Sequence, residues 1–163
     1  MWYTRIIIYE SRFIFFMKQR GFELVSTESD VTLLPKRATR HAAGYDLKAS
    51  QDMHISPGSI VLVPTGVKAY MGTEEVLYLF DRSSNPRKRG IVLINSVGVI
   101  DSDYYNNSGN EGLIMAQFKN ISDKVVHIKR GDAICQAVFM PFLIADDDVE
   151  GDVRKGGFGS TDD

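Results

Sequence analysis

Asp101 carries the strongest chemical signal in this chain. It stands three residues after Gly98 and three before Tyr104, within Asn95-Ser-Val-Gly-Val-Ile-Asp-Ser-Asp-Tyr104. A carboxylate at a strand end, beside an aromatic ring and a glycine that admits a ligand to the backbone, suits a general base over a small pocket. The same residues would also make a polar hairpin with a capping aspartate and a packed tyrosine, because most Asp and Asn residues near turns only shape them. A second chemical inventory lies near the C-terminus, in Arg154-Lys-Gly-Gly-Phe-Gly-Ser-Thr161. A cation, glycines, two hydroxyls and an aromatic ring are what wrapping a phosphate chain under a stacked base requires. By composition alone, residues 146–163 are a disordered tail, with four acids among 146–150.

Other reactive side chains point to structure. The single cysteine, Cys135, sits in the apolar run Ala133-Ile-Cys-Gln-Ala-Val-Phe139. Nothing near it in sequence would lower its pKa, so it reads as a core thiol, and no disulfide within the chain is available. That fits a reducing cytoplasm. His41, His54 and His127 have no metal-ligand spacing; they read as surface or turn residues, and no zinc is expected.

The elements that must position these groups are short and β-like. Gly90-Ile-Val-Leu-Ile94 predicts a buried strand leading into the Asp101 stretch, and Asn106-Asn107-Ser108-Gly109-Asn110 predicts a turn beyond it. Phe22–Val25, Met53–Ile55, Ile60–Val63, Val67–Met71, Val76–Phe80, Leu113–Phe118, Val125–Ile128 and Ile134–Ile144 predict further strands. Between them lie Ser56-Pro-Gly58, Pro64-Thr-Gly66, the loop Asp81–Pro86, Asn120–Asp123 and Lys129-Arg-Gly-Asp132 as turns. No stretch carries a clean helical period, and no long internal repeat is present. Strands spaced this closely by Gly, Pro and Asn turns predict an all-β sandwich or barrel.

The chain has 163 residues, enough for one domain with a sizeable core. Its formal charge of −2 gives no basic field, which argues against direct nucleic-acid binding. The apolar runs in residues 1–16 are interrupted by Arg5, Glu10 and Arg12, too short and charged to span a bilayer and without a small-residue cleavage site. The organisation expected is an N-terminal extension at 1–16 ahead of Met17 as a natural start, a β domain at 17–145 and a C-terminal arm at 146–163.

Five separated stretches share this character: Ala43-Gly-Tyr-Asp-Leu47, Arg82-Ser-Ser84, Asn95–Asp101 with Tyr104, Arg130-Gly-Asp-Ala-Ile-Cys-Gln136, and Arg154–Thr161. In this order and at these separations they resemble the five motifs of the trimeric dUTP pyrophosphatases (dUTPases), over about residues 22–161. The resemblance implies a β jelly-roll, or distorted β-barrel, assembled as a homotrimer. Its active sites lie between subunits, with the arm of one chain closing a site built by others. It implies Mg²⁺-dependent cleavage of dUTP to dUMP and pyrophosphate, which keeps uracil out of DNA and supplies dUMP for thymidylate synthesis.

The same resemblance implies roles. Asp101 is the base that deprotonates a water for in-line attack on the α-phosphate, and Asp46 helps position Mg²⁺ through water. Arg82, Ser83 and Ser84 form a phosphate-binding loop, with Asp81 where many relatives carry proline and Ser84 where many carry glycine. The basic Asn85-Pro-Arg-Lys-Arg89 after it reads as a solvated loop. Tyr104 is the floor under the deoxyribose. Asn95, the backbone of Val99 and Ile100, and Met115 line the uracil pocket; Gln136 lies near the phosphates, whereas Arg130-Gly-Asp132 is turn structure. Phe158 stacks on uracil, while Arg154, Gly159, Ser160 and Thr161 close on the outer phosphates. Arg154 is one residue nearer Phe158 than in many relatives, so Lys155 competes for its role. A dCTP deaminase relative and a nucleotide-sensing regulatory protein are the alternatives on the same fold.

Overall fold

Alternation shapes the strands of this molecule. In Met-Ala-Gln-Phe-Lys-Asn120, Ala116, Phe118 and Asn120 are buried while their neighbours are half-exposed, the period of a strand with one face on a core. The structure, a computed structural model, describes residues 18–149 together with the backbone of two short N-terminal strands. Those strands, Ile6–Tyr9 (β1) and Arg12–Phe15 (β2), pair antiparallel in a ladder of their own. Next come Gly21–Leu24 (β3), Lys36–Arg37 (β4), Tyr45–Lys48 (β5), Met53–Ile55 (β6), Ile60–Pro64 (β7), Val67–Tyr70 (β8) and Glu75–Asp81 (β9). They are followed by Ile91–Leu93 (β10), Val97–Asp101 (β11), Met115–Asn120 (β12), Val126–Ile128 (β13) and Ala133–Pro141 (β14).

The strands form a five-stranded sheet in the order β11-β9-β14-β5-β4, a three-stranded sheet β10-β12-β7, and the pairs β3-β8 and β13-β6. Leu47, Leu77, Leu79, Cys135 and Ala137 from the first sheet meet Val63, Ile91, Leu93, Ala116 and Phe118 from the second in one buried cluster. From β9 to β12 successive strands alternate between these sheets. The connections at 82–90, 94–96 and 102–114 are therefore crossings, and they carry the polar residues singled out above. The all-β expectation is met, with strand after strand crossing between layers as in a jelly roll. Among the described residues, no helix is long and apolar enough to cross a membrane.

Two local expectations change and a third becomes specific. The loop expected to be simple after β9 closes into a π-helical turn at Asn85–Arg89, capped by Gly90 at φ 70°. His54 and His127 are exposed, as surface residues were expected to be, and lie opposite each other on β6 and β13 with their Nδ1 atoms 2.9 Å apart. Arg130 does more than shape a turn. Its guanidinium bonds both carboxylate oxygens of Glu28 at 3.0 Å and Asp30 at 3.2 Å, clamping the segment after β3. That contact holds the Glu28 carboxyl well below its usual range, at about 2.

Candidate active site

Asp101 ends β11, opposite Val76 on the neighbouring β9. It lines a cavity of about 180 Å³ with Asn95, Gly98, Val99, Ile100, Tyr104 and Met115, and with Leu79 and Leu93 behind them. The lining comes from β11, from the turns on either side of it and from the start of β12. Asn95 sits in the exposed turn between β10 and β11, where Ser96 adopts φ 61°. The side chain of Val99 is 57 % exposed, while Ile100 packs against the core. Met115 opens β12 opposite Pro64. Gly98 has a reason beyond ligand access: a Cβ there would lie 3.0 Å from the Cβ of Leu79 across the ladder.

Tyr104 is only 6 % exposed and closes the short 3-10 turn Ser102–Tyr104. Its hydroxyl donates to the Leu113 carbonyl at 3.0 Å and accepts from Asn110 Nδ2 at 2.6 Å. The ring is thus held at its hydroxyl by two partners. Asn107, nearly buried, donates to the Tyr104 carbonyl and to Asn110 Oδ1, both at 2.8 Å, and accepts the N–H groups of Gly109 and Asn110. The asparagine run is a hydrogen-bonded clip under the tyrosine as well as a turn. Its far side is anchored by Glu111, which accepts from Lys68 and from the Ser26 N–H and hydroxyl. The Lys68 ammonium is the main reason the Glu111 carboxyl stands down at about 2. Asn107, Asn110, Glu111 and Lys68 escaped the sequence reading. The asparagines carried a signal, since their side chains bond neighbouring backbone. The Lys68–Glu111 pair, far apart in the chain, carried none.

A second group forms where β9, β14 and β5 lie side by side. Gln136 on β14 faces Asp46 on β5 and Phe80 on β9. Arg82, just past β9, sets its Nε 3.4 Å from Asp46 Oδ1 and donates from Nη1 to the Ala133 carbonyl at 2.9 Å. Gln136 Nε2 donates to the Asp81 carbonyl at 3.2 Å, and Gly44 leaves room for its amide. Ser83 is exposed at the crest of the loop and Ser84 begins the π-helical turn. The stretches containing Asp46, Arg82–Ser84 and Gln136 thus meet because three strands remote in sequence are neighbours in the sheet.

Asp101 itself stands apart from the second group within one chain. Asp101 aligns with Val76 and the second group with Asp81, so about 17 Å of strand β9 separates that carboxylate from the group. Arg154, Phe158, Gly159, Ser160 and Thr161 lie outside the described residues. Cys135 is fully buried and its thiol is pushed up to about 12 by that burial, as befits a core residue.

Comparison with known proteins gives the same picture. The dUTPase family profile matches residues 30–162. The deoxyuridine 5'-triphosphate nucleotidohydrolase of Lactococcus lactis is 56 % identical over 148 residues, covering 89 % of this chain and 99 % of the relative. That of Desulfitobacterium hafniense is 42 % identical over 136 residues, covering 78 % of this chain and 86 % of the relative. The crystal structure of the Streptococcus mutans dUTPase superposes with a TM-score of 0.77 at 66 % identity, over 77 % of this chain and 98 % of that one. A dUTPase from phage phi11 of Staphylococcus aureus, described with a structural Mg(II) ion, shares the fold at 20 % identity and a TM-score of 0.66. With a family profile spanning most of its length and relatives this similar over nearly their whole length, the chain belongs to the dUTPase family.

Proposed function

We propose that this protein hydrolyses dUTP to dUMP and pyrophosphate by attack of water on the α-phosphate, which withholds uracil from DNA and supplies dUMP for thymidylate synthesis. The observation that carries this reading is the cavity itself, in which Asn95 from one crossing converges with Tyr104 from the next and with Asp101 and Met115 at the strand ends that flank it. Uracil enters between the turn at Asn95 and the backbone of Val99 and Ile100, whose fixed donors and acceptors separate it from cytosine. Tyr104, locked by its clip, underlies the deoxyribose and leaves no room for a 2′-hydroxyl. Asp101 at the rim accepts a proton from a water aligned against the α-phosphate. As the new P–O bond forms, the bond to the β-phosphate breaks and pyrophosphate leaves.

Arg82, Ser83, Ser84 and Gln136 bind the phosphates, and Arg82 presents a rigid fork of donors. Asp46, already beside Arg82, offers one carboxylate, and among the described residues no three His, Cys, Asp or Glu side chains form a metal site. That donor set fits Mg²⁺ held mainly by water and phosphate oxygens, with Asp46 reaching it through water. The ion, when bound, offsets charge on the phosphates. The spacing of the two groups along β9 supports a homotrimer in which the cavity of one chain works with the phosphate loop of another. The arm, with Phe158 over the base and Arg154, Gly159, Ser160 and Thr161 around the outer phosphates, closes the site. The β domain at 17–145 and arm at 146–163 divide the chain accordingly, and a lone buried thiol suits the cytoplasm.

Pyrophosphate release from dUTP, compared with dCTP, dTTP and UTP, tests the reading. Turnover should be confined to dUTP. Asp101→Asn should abolish turnover while nucleotide still binds; near-normal turnover in that variant would remove Asp101 as the base.

A further inference from the structure

We infer that Asp81 is a positioning residue for the phosphate loop, and that its charge favours rather than opposes binding of the anionic substrate. The inference rests on the proposed role of Arg82–Ser84 in holding phosphate. Asp81 is the last residue of β9, where the chain leaves the five-stranded sheet. Its Oδ1 accepts the backbone N–H of Arg82 at 2.8 Å and Nδ2 of Asn85 at 2.6 Å. Its Oδ2 accepts the backbone N–H of Leu93 at 3.1 Å. One carboxylate therefore ties both ends of the segment carrying Ser83 and Ser84, and fastens them to β10.

The partners are fixed in turn. Asn85 is fully buried, gives its Nδ2 also to the Ile134 carbonyl at 2.7 Å, and bonds the Arg82 carbonyl through its backbone N–H at 2.9 Å. The Asp81 carbonyl accepts from Gln136. The guanidinium of Arg82 is turned elsewhere, to Asp46 and Ala133. Leu93, the third donor, is also a wall of the cavity. Asp81 thus joins the loop, the cavity wall and the central strand β14. Two effects of its charge oppose each other. A carboxylate beside a triphosphate site repels the ligand. A carboxylate that satisfies three N–H donors holds the loop in one shape, and hydrogen bonds to an ionised acceptor are about twice as strong as neutral ones. The geometry favours the second, because the negative charge is directed onto the chain's own donors.

Asp81→Asn separates the two effects by sign. The variant keeps size and shape but loses the charge, and its amide N–H groups must face at least one of the donors. Positioning predicts that dUTP binds about tenfold more weakly, that the loss grows from dUMP to dUTP, and that deoxyuridine binds within about twofold of wild type. Asp81→Ser, whose hydroxyl serves fewer donors, should give the same order if the asparagine variant does not fold. Unchanged or tighter dUTP binding would overturn the inference. So would an equal loss for deoxyuridine and dUTP, which marks a general structural defect. Arg82→Ala, measured alongside, tests the reading beneath it. If dUTP binds Arg82→Ala as it does wild type, the loop is not the phosphate site; if only the Asp81 variants bind normally, the inference alone fails.

Discussion

Replacing Asn107 by alanine should loosen the floor of the cavity without touching any group that meets substrate. Four hydrogen bonds disappear: two donated by Nδ2, to the Tyr104 carbonyl and Asn110 Oδ1, and two accepted by Oδ1, from Gly109 and Asn110. Three of the partners are backbone groups left short of a bond. A buried orphan costs on the order of 1–3 kcal/mol, and the partial exposure of this turn lets water repair some of the loss. Taking the low end for each gives about 3 kcal/mol. For a domain of this size that lowers the melting temperature by roughly 6–12 °C, measured at fixed protein concentration because assembly adds to apparent stability. Asn107→Asp keeps the two accepted bonds and should fall between wild type and alanine. The assay pairs thermal unfolding with the ratio of dUTP to UTP turnover, which should narrow as the Tyr104 ring gains freedom. A melting temperature within a degree of wild type, with selectivity intact, would show that the clip does not hold the ring.

Two further outcomes follow from the same geometry. Glu111 titrates at about 2 in the folded protein against an ordinary value of 4.5. Its contribution is therefore complete above about pH 5 and is lost as the pH falls toward 2. Glu111→Gln should accordingly lower stability at neutral pH and flatten the acid limb of the unfolding curve, and an identical acid limb would refute the pairing with Lys68. A Cβ at residue 44 would lie 2.7 Å from Gln136 Oε1, so Gly44→Ala should displace that flexible amide. It should lower dUTP turnover with little change in melting temperature, and normal turnover would remove Gln136 from the phosphate site.

What the sequence disclosed was what depends on neighbours along the chain. The β-branched run at 91–93, the glycine and asparagine turns, the inward thiol of Cys135 and the grouping of Gly98, Asp101 and Tyr104 follow from local pattern, and all stand in the structure; Asn95, Val99 and Ile100 came from the resemblance and line the same cavity. Met115, also implied by the resemblance, reaches the cavity because it opens the next strand. What stayed hidden depends on strand order. Nothing local says that β14 lies between β9 and β5, which is what brings Gln136 to Asp46 and Arg82. Nothing local says that Lys68 and Glu111 meet. Asp81 read only as a residue standing where many relatives carry proline, because the three donors that occupy it come from residues 82, 85 and 93 and only the fold assembles them. The motifs implied sites between subunits, but only the strand register shows where a single chain keeps Asp101 and Arg82 apart.

That separation along β9 has a genetic consequence. In the proposed assembly, chain and active site are different units, each site drawing its acid from one chain and its cation from another. Two defective alleles, one lacking the carboxylate of residue 101 and one lacking the guanidinium of residue 82, would then complement when co-expressed. Mixed trimers would contain some sites built from two sound halves, whereas each allele alone would contain none.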